Sequence, residues 1–180
     1  VSSLIDHEQD VKFLVVPHEI DAVTLREVQE KIPAKSLLFT ECTADTDFTD
    51  VQVLVVNILG SLSRIYRYGN WAYVGGGFTA YLHSVIEPAV YGIPVAFGPR
   101  IERKTTPKEM VRRGIGAIVT TPEGLCYWFN QVREVREQED VKSRARAFIE
   151  ANANFTQKVC ANIEQLEKYV IIYSSVSSSV

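Results

Sequence analysis

The stretch WAYVGGGFTAYLHSVIEPAVYGIPVAF, which covers residues 71–97, decides the fold. Its first apolar run leads into three glycines at 75–77, and a helical pattern follows until a second apolar run at 95–97. This order of strand, glycine turn, helix and strand is typical of a β-α-β unit with two parallel strands. The wider window 68–99 contains one formally charged side chain, Glu87, where average composition predicts about seven. We therefore expect this unit at the centre of the domain.

The same alternation of apolar runs and amphipathic segments extends over most of the chain. We expect six buried strands, at 11–16, 36–39, 51–56, 71–74, 95–97 and 116–119. Helices are predicted at 22–32, 62–68, 84–91, 107–113, 122–137 and 141–170. Because the strands are almost continuously apolar, they are expected to be parallel and covered on both faces. The pattern predicts an α/β fold with a doubly wound parallel sheet of about six strands and helices on both faces.

Composition places the chain among ordinary globular domains. Its 180 residues are 46% hydrophobic and 23% charged, with a formal net charge of −3. This balance argues against a nucleic-acid-binding protein, which usually carries a strongly basic face. Three scattered cysteines form neither a disulfide framework nor a zinc motif, so a reducing compartment is expected. One domain is expected over residues 1–173, followed by a disordered serine-rich tail at 174–180.

The start of the chain carries two further expectations. Acidic residues interrupt the first apolar positions, so no signal peptide is predicted. Met110 is the only methionine, and we therefore expect the chain to be an excised piece of a larger protein or a processed product.

Candidate ligand-binding segments follow from the expected sheet, because open α/β sheets bind ligands beyond the carboxyl ends of their strands. This rule selects residues 17–19, 57–61, 75–78 and 98–100. The glycine turn at 75–78 could present backbone N–H groups to an anionic phosphate. Alternatively, its glycines serve only the dihedral angles of a tight strand-to-helix turn.

Charged and titratable residues near these segments each have two interpretations. Glu87 could close a capping box with Ser84 or accept hydrogen bonds from a sugar diol, and both roles could coexist. His18 and His83 could contribute to a site, although isolated histidines more often serve structural hydrogen bonds. The basic side chains between 100 and 113 could attract phosphates or an acidic membrane surface, or form a solvated face.

Four motifs carry a resemblance to a known family. They are LGSLSRIYRY at 59–68, AYVGGGF at 72–78, HSVIEPAVYGIPV at 83–95 and FGP at 97–99, with VPHE at 16–19 in support. In this order and spacing they resemble the Kdo transferases, which move 3-deoxy-D-manno-octulosonic acid (Kdo) from CMP-Kdo to a lipid A precursor. The resemblance is dense from 59 to 99 and thinner elsewhere.

The resemblance implies one half of a GT-B glycosyltransferase, an enzyme of two Rossmann-like domains with the active site between them. This chain matches the carboxyl-terminal, donor-binding half. The acceptor-binding half, the membrane anchor and the general base are therefore expected elsewhere, so no catalytic residue is assigned to this chain. No cofactor or metal is expected either, because Asp45-Thr46-Asp47, which has the form of a metal-chelating motif, falls in a polar loop between strands. The full-length protein is expected to act in lipopolysaccharide biosynthesis at the cytoplasmic face of the bacterial inner membrane, and the isolated piece to be soluble and inactive.

The resemblance also assigns roles residue by residue. The turn at 75–78 would hold the CMP phosphate, Glu87 would bind the ribose, and Gly60 would let the backbone come close. The full donor-nucleotide set is Pro17, His18, Gly60, Gly75, Gly76, Gly77, Phe78, His83, Ser84 and Glu87.

The chain departs from the family pattern at several positions. Ser61 stands where the family commonly has an acidic residue, and Ser84 where it has Asn. Residues 79–82 replace a glycine-rich stretch, and 100–106 replace an aromatic-bearing loop. Two rivals stay open: a GT-B domain that uses a UDP-sugar, and a non-catalytic α/β binding module.

Overall fold

Six short strands alternate with helices in the computed structural model, which describes residues 1–79 and 81–153. The strands are β1 Phe13–Val15, β2 Ser36–Leu38, β3 Val53–Val55, β4 Ala72–Val74, β5 Val95–Phe97 and β6 Gly116–Ile118. The helices are α1 Ser2–His7, α2 Ala22–Glu30, α3 Leu62–Ile65, α4 Ile86–Val90, α5 Thr105–Arg112, α6 Pro122–Val132 and α7 Val135–Asn152. Short 3-10 helices cover Phe39–Glu41 and Tyr66–Tyr68. All six predicted strands are confirmed.

The strands form two parallel sheets of three strands each, in the orders β1-β3-β2 and β4-β5-β6. In the first sheet Phe13 pairs with Val53, and Ser36 pairs with Val53 from the other side. In the second, Val95 lies between Ala72 and Gly116. The parallel α/β architecture is therefore confirmed, but the expected single sheet of about six strands is wrong for the part of the chain that the structure describes.

The two sheets are joined by apolar packing instead of a β1-β4 ladder. One buried cluster contains Leu4 of α1, Ala96 of β5 and Phe129 of α6, with Phe13 of β1 packed against it. Trp71 lies edge-on to Phe129, with 4.8 Å between ring centroids. A cleft lined by β1 and β4 separates the two facing strand edges, which accounts for the missing ladder.

Capping residues and glycines set several helix ends. The Asp21 carboxylate accepts the Val23 and Thr24 N–H groups at the start of α2, at 3.0 and 3.1 Å. Gly92 and Gly114 follow α4 and α5 with φ values of +73° and +65°, a conformation that favours glycine.

The predicted boundaries of the last helices are wrong. α6 ends at Val132 and α7 begins at Val135, because Glu134 is extended at the start of α7. Gln138 then donates to the Arg133 carbonyl, at 2.8 Å. The amino-terminal helix α1 was not predicted. The remainder of the helix predicted at 141–170, the domain end at 173 and the tail at 174–180 lie outside the described residues.

None of the helices within residues 1–79 and 81–153 has the length and apolar character needed to cross a membrane.

Phe97 provides a test of the main core. Its side chain is fully buried, and a Cβ added at Gly116 would lie 2.8 Å from its Cε1 atom, so the ring fills the space over β6. We expect Phe97→Ala to lower the free energy of unfolding by about 3–5 kcal/mol through lost burial and a residual cavity. Phe39→Ala, at a 43% exposed phenylalanine, is the matched control and should cost far less. Urea denaturation of both variants checks this, and equal losses would contradict it.

Candidate functional site

A cleft of about 740 Å³ opens between β1 and β4. The loops that follow β1, β3 and β4 reach it at the carboxyl ends of these strands, as expected for an open α/β sheet. Seven residues of the predicted donor set line it: Pro17, His18, Gly60, Gly75, His83, Ser84 and Glu87. Gly76, Gly77 and Phe78 lie next to this lining without being part of it. The structure thus brings most of the predicted set together, while its role in binding stays a prediction.

Two histidines from distant parts of the sequence meet at the cleft. The rings of His18 and His83 lie 4.9 Å apart between centroids, at an interplanar angle of 36°. His18 comes from the loop after β1, and His83 from the segment that connects the glycine turn to α4. Both are exposed, so a ligand in the cleft could reach them.

Steric requirements explain two of the glycines. Gly76 has a φ of +88°, and a Cβ at this position would overlap the Tyr81 carbonyl oxygen. A Cβ at Gly77 would lie 2.6 Å from the backbone nitrogen of Gly98, in the loop after β5. The interpretation of 75–78 as a tight turn is therefore supported. A tight turn and ligand binding are compatible, because close packing of the backbone leaves the N–H groups free to bind a ligand.

The hydrogen bonds of the turn use its carbonyl groups. The Thr79 N–H donates to the Gly76 carbonyl at 3.1 Å, His83 to that of Gly75 at 3.3 Å, and Arg100 to that of Gly77 at 2.9 Å. Within the described residues, the N–H groups of Gly76, Gly77 and Phe78 have no acceptor. Consecutive backbone donors of this kind can bind an anion.

Glu87 lies half-buried on α4 and lines the cleft. The capping box predicted for Ser84 and Glu87 is wrong, because α4 begins at Ile86 and Val85 occupies the cap position without a side-chain hydrogen bond. Ser84 therefore lies outside the helix, one residue before the buried cap residue Val85. The Glu87 carboxylate is therefore not used for capping.

Tyr66 is a cleft residue that the residue-by-residue assignment missed. It lines the cleft together with Glu87. Burial raises the pKa of its hydroxyl, and the nearby Glu87 carboxylate raises it further. The phenol stays protonated and can donate a hydrogen bond to Glu87 or to a ligand. The available signal was its place inside the motif at 59–68.

Most of the basic side chains between 100 and 113 have acceptors within the protein. Glu109 accepts hydrogen bonds from Arg112 and Arg113, at 2.6 to 2.8 Å, and these bonds lower its pKa to about 2. Lys108 donates to the Glu102 carbonyl at 2.6 Å, and Lys104 to a carbonyl near the cleft. These contacts favour a structural role for this segment over a general anion-attracting surface.

The sequence Asp45-Thr46-Asp47 has the spacing of a metal-binding motif, but its geometry serves a turn. Asp47 accepts hydrogen bonds from the hydroxyl and the N–H of Thr49, at 2.6 and 2.9 Å, and these bonds lower its pKa. Across residues 1–79 and 81–153, no group of three or more His, Cys, Asp or Glu side chains is placed to hold a metal ion.

Comparison with curated proteins finds similarity to 3-deoxy-D-manno-octulosonic acid transferases. The Chlamydia pneumoniae enzyme is 28% identical over 66% of this chain and 26% of its own length. The Chlamydia trachomatis serovar D enzyme is 26% identical over 84% of the chain and 34% of its own length, and the Aquifex aeolicus enzyme is 27% identical over 76% and 37%. The resemblance to Kdo transferases is therefore confirmed. The chain spans about a quarter to a third of the length of these relatives.

A solved structure confirms the fold. The C-terminal CMP-Kdo binding domain of WaaA from Acinetobacter baumannii superposes with a TM-score of 0.64 at 17% sequence identity. The match covers 79% of this chain and 76% of that domain. No protein-family model matches the chain.

Gly60 and Gly76 both have positive φ, but only Gly76 also lacks space for a side chain. Comparing alanine substitutions at the two positions therefore distinguishes the cost of backbone strain from the cost of steric overlap. A Cβ at Gly60, with φ +73°, would meet nothing within 4 Å, whereas one at Gly76 would collide with the Tyr81 carbonyl. We expect Gly60→Ala to cost about 1 kcal/mol, the scale of a left-handed conformation for an L-residue. Gly76→Ala should cost clearly more, because the segment after the turn must move as well.

Urea denaturation of the two variants measures the difference. Equal losses would show that the Gly76–Tyr81 contact does not constrain the turn.

Proposed function

We propose that this chain is the donor-binding part of a GT-B glycosyltransferase that moves Kdo from CMP-Kdo to a lipid A precursor. One observation carries the proposal: residues of the motifs at 16–19, 59–68, 72–78 and 83–95 converge on a single cleft at the strand ends. The similarity to Kdo transferases and the fold of a CMP-Kdo binding domain support the choice of donor.

The CMP phosphate is proposed to bind at the glycine turn. The N–H groups of Gly76, Gly77 and Phe78, which have no acceptor among the described residues, would donate to its oxygens. His18 and His83 stand at the same end of the cleft and would add ring N–H donors. A monophosphate leaving group could be stabilised by preorganised donors of this kind.

Glu87 is proposed to bind the ribose. Among the described residues that line the cleft it is the only carboxylate, and a carboxylate can accept both hydroxyl groups of a vicinal diol. Tyr66 shares this part of the cleft and would hold the carboxylate or a sugar hydroxyl in place. Pro17 would contribute apolar contact to the nucleotide.

Acceptor binding and the general base are proposed to reside in the remainder of a longer protein. The relatives extend well beyond the matched region, which leaves room for a second α/β half and a membrane anchor. In this proposal the whole enzyme acts in lipopolysaccharide biosynthesis at the inner membrane.

Two alternatives make different predictions for nucleotide binding. A domain that uses a UDP-sugar would bind UDP in preference to CMP. A non-catalytic module would bind neither nucleotide at millimolar concentration. Competition between CMP and UDP, followed by protein NMR, separates all three functions.

We expect Glu87→Gln to weaken CMP binding by about 1–3 kcal/mol, because it removes a charge-assisted acceptor for the ribose. Glu102→Gln is the control, since Glu102 is exposed and lies outside the cleft lining. Calorimetry should show a loss for Glu87→Gln alone. The proposed ribose contact would be refuted by equal CMP affinities in the two variants.

We also expect the 180-residue chain to bind CMP weakly and to transfer no sugar. A nucleotide held by one wall of a cleft loses the contacts and the water exclusion that a second domain provides. Transfer further requires a positioned base for the acceptor hydroxyl, and none is assigned within this chain.

The measurement is incubation with CMP-Kdo and a lipid A precursor, with assays for sugar transfer and for CMP release. Turnover above the enzyme-free background would place the catalytic groups within these residues.

A further inference from the structure

The segment 81–84 carries His83 to the cleft, and several contacts of its backbone and side chains hold it there. The Leu82 side chain is buried in the main core cluster, and the His83 N–H donates to the Gly75 carbonyl at 3.3 Å. On either side of Leu82, Tyr81 and His83 are exposed. A further contact comes from another loop, because the Lys104 ammonium donates to the Leu82 carbonyl at 2.9 Å.

Lys104 belongs to a loop that is already attached to the glycine turn. This loop starts at Gly98, whose backbone touches Gly77, and the Arg100 N–H donates to the Gly77 carbonyl. Lys104 is half-buried and stands in an extended conformation directly before α5. The attachment of this loop to the glycine turn therefore keeps the Lys104 ammonium close to the cleft.

Lys104 differs from the other basic side chains of this region in what it contacts. Lys108 donates to the carbonyl of Glu102, six residues earlier in the chain. Arg112 and Arg113, at the end of α5, pair with Glu109. In the described part of the chain, Lys104 is the only one of the four whose acceptor lies in the segment that carries His83.

The bonded carbonyl belongs to the peptide group that joins Leu82 to His83. A charge-assisted hydrogen bond to this oxygen restrains the plane of the peptide, and this plane contains the His83 N–Cα bond from which the side chain is carried. The ring is then held beside His18, at the observed centroid distance of 4.9 Å.

We propose that Lys104 is a positioning residue of the donor site, which holds His83 against His18 through the Leu82 carbonyl. The identity of the ligand, CMP, rests on the proposed function, whereas the positioning of His83 rests on the geometry alone.

The test compares Lys104→Met, Lys104→Arg and Lys108→Met in the whole 180-residue chain. Methionine keeps much of the apolar stem and removes the donor, arginine restores a charged donor, and Lys108→Met removes a neighbouring lysine whose bond does not reach the cleft. Two quantities are measured: the nuclear Overhauser effect between the His18 and His83 ring protons without nucleotide, and the Kd for CMP by calorimetry.

We expect Lys104→Met to lose the His18–His83 effect and to raise the Kd for CMP about tenfold, equivalent to about 1.4 kcal/mol. Lys104→Arg should restore both quantities, and Lys108→Met should change neither. Retention of the ring contact in Lys104→Met, or its absence from the unsubstituted chain, would overturn the proposal. If Lys104→Met does not fold, the test depends on Lys104→Arg. Loss of the His18–His83 ring contact in Lys104→Arg would then contradict the proposal.

The two measurements test the proposed function and the role of Lys104 independently. If the unsubstituted chain bound no CMP, the proposed function would be refuted, and the ring contact would still decide whether Lys104 positions His83.

Discussion

The structure around the cleft depends on one close backbone approach, between Gly77 after β4 and Gly98 after β5. A Cβ on either residue would overlap the backbone of the other, so the two loops can meet only as glycine against glycine. The contact brings the Arg100 N–H onto the Gly77 carbonyl and sets the start of the loop that ends at Lys104. The turn, the segment carrying His83 and the approach to α5 are all positioned by it.

The same constraint bears on the chemistry of the proposed anion site, which relies on backbone groups. The donors are backbone N–H groups at the end of a buried strand, where side chains would obstruct both the packing and a ligand. In a region of low dielectric such donors interact more strongly than they would in water. A slightly acidic overall charge is therefore compatible with the proposed phosphate site.

The strands and the position of the cleft were predictable because they follow from local patterns. Apolar runs end in glycines or small polar residues, and the cleft lies at these strand ends. Other features depend on tertiary packing. Helix α4 starts after Ser84, against the local capping signal, and its cap residue Val85 is buried. The division into two sheets and the meeting of His18 with His83 depend on how distant loops pack, for which the sequence carries no periodic signal.

The parallel register of both sheets has a kinetic consequence. None of the strand pairs of these two sheets is a hairpin, so each pairing has to close a long crossover connection. Phe13 and Val53 lie 40 positions apart, whereas Ser36 and Val53 lie 17 apart. Loop-closure entropy makes the longer pairing costlier by about 0.8 kcal/mol. Assembly of the first sheet should therefore start with β2 on β3, and β1, which carries Pro17 and His18 to the cleft, joins a sheet edge that already exists.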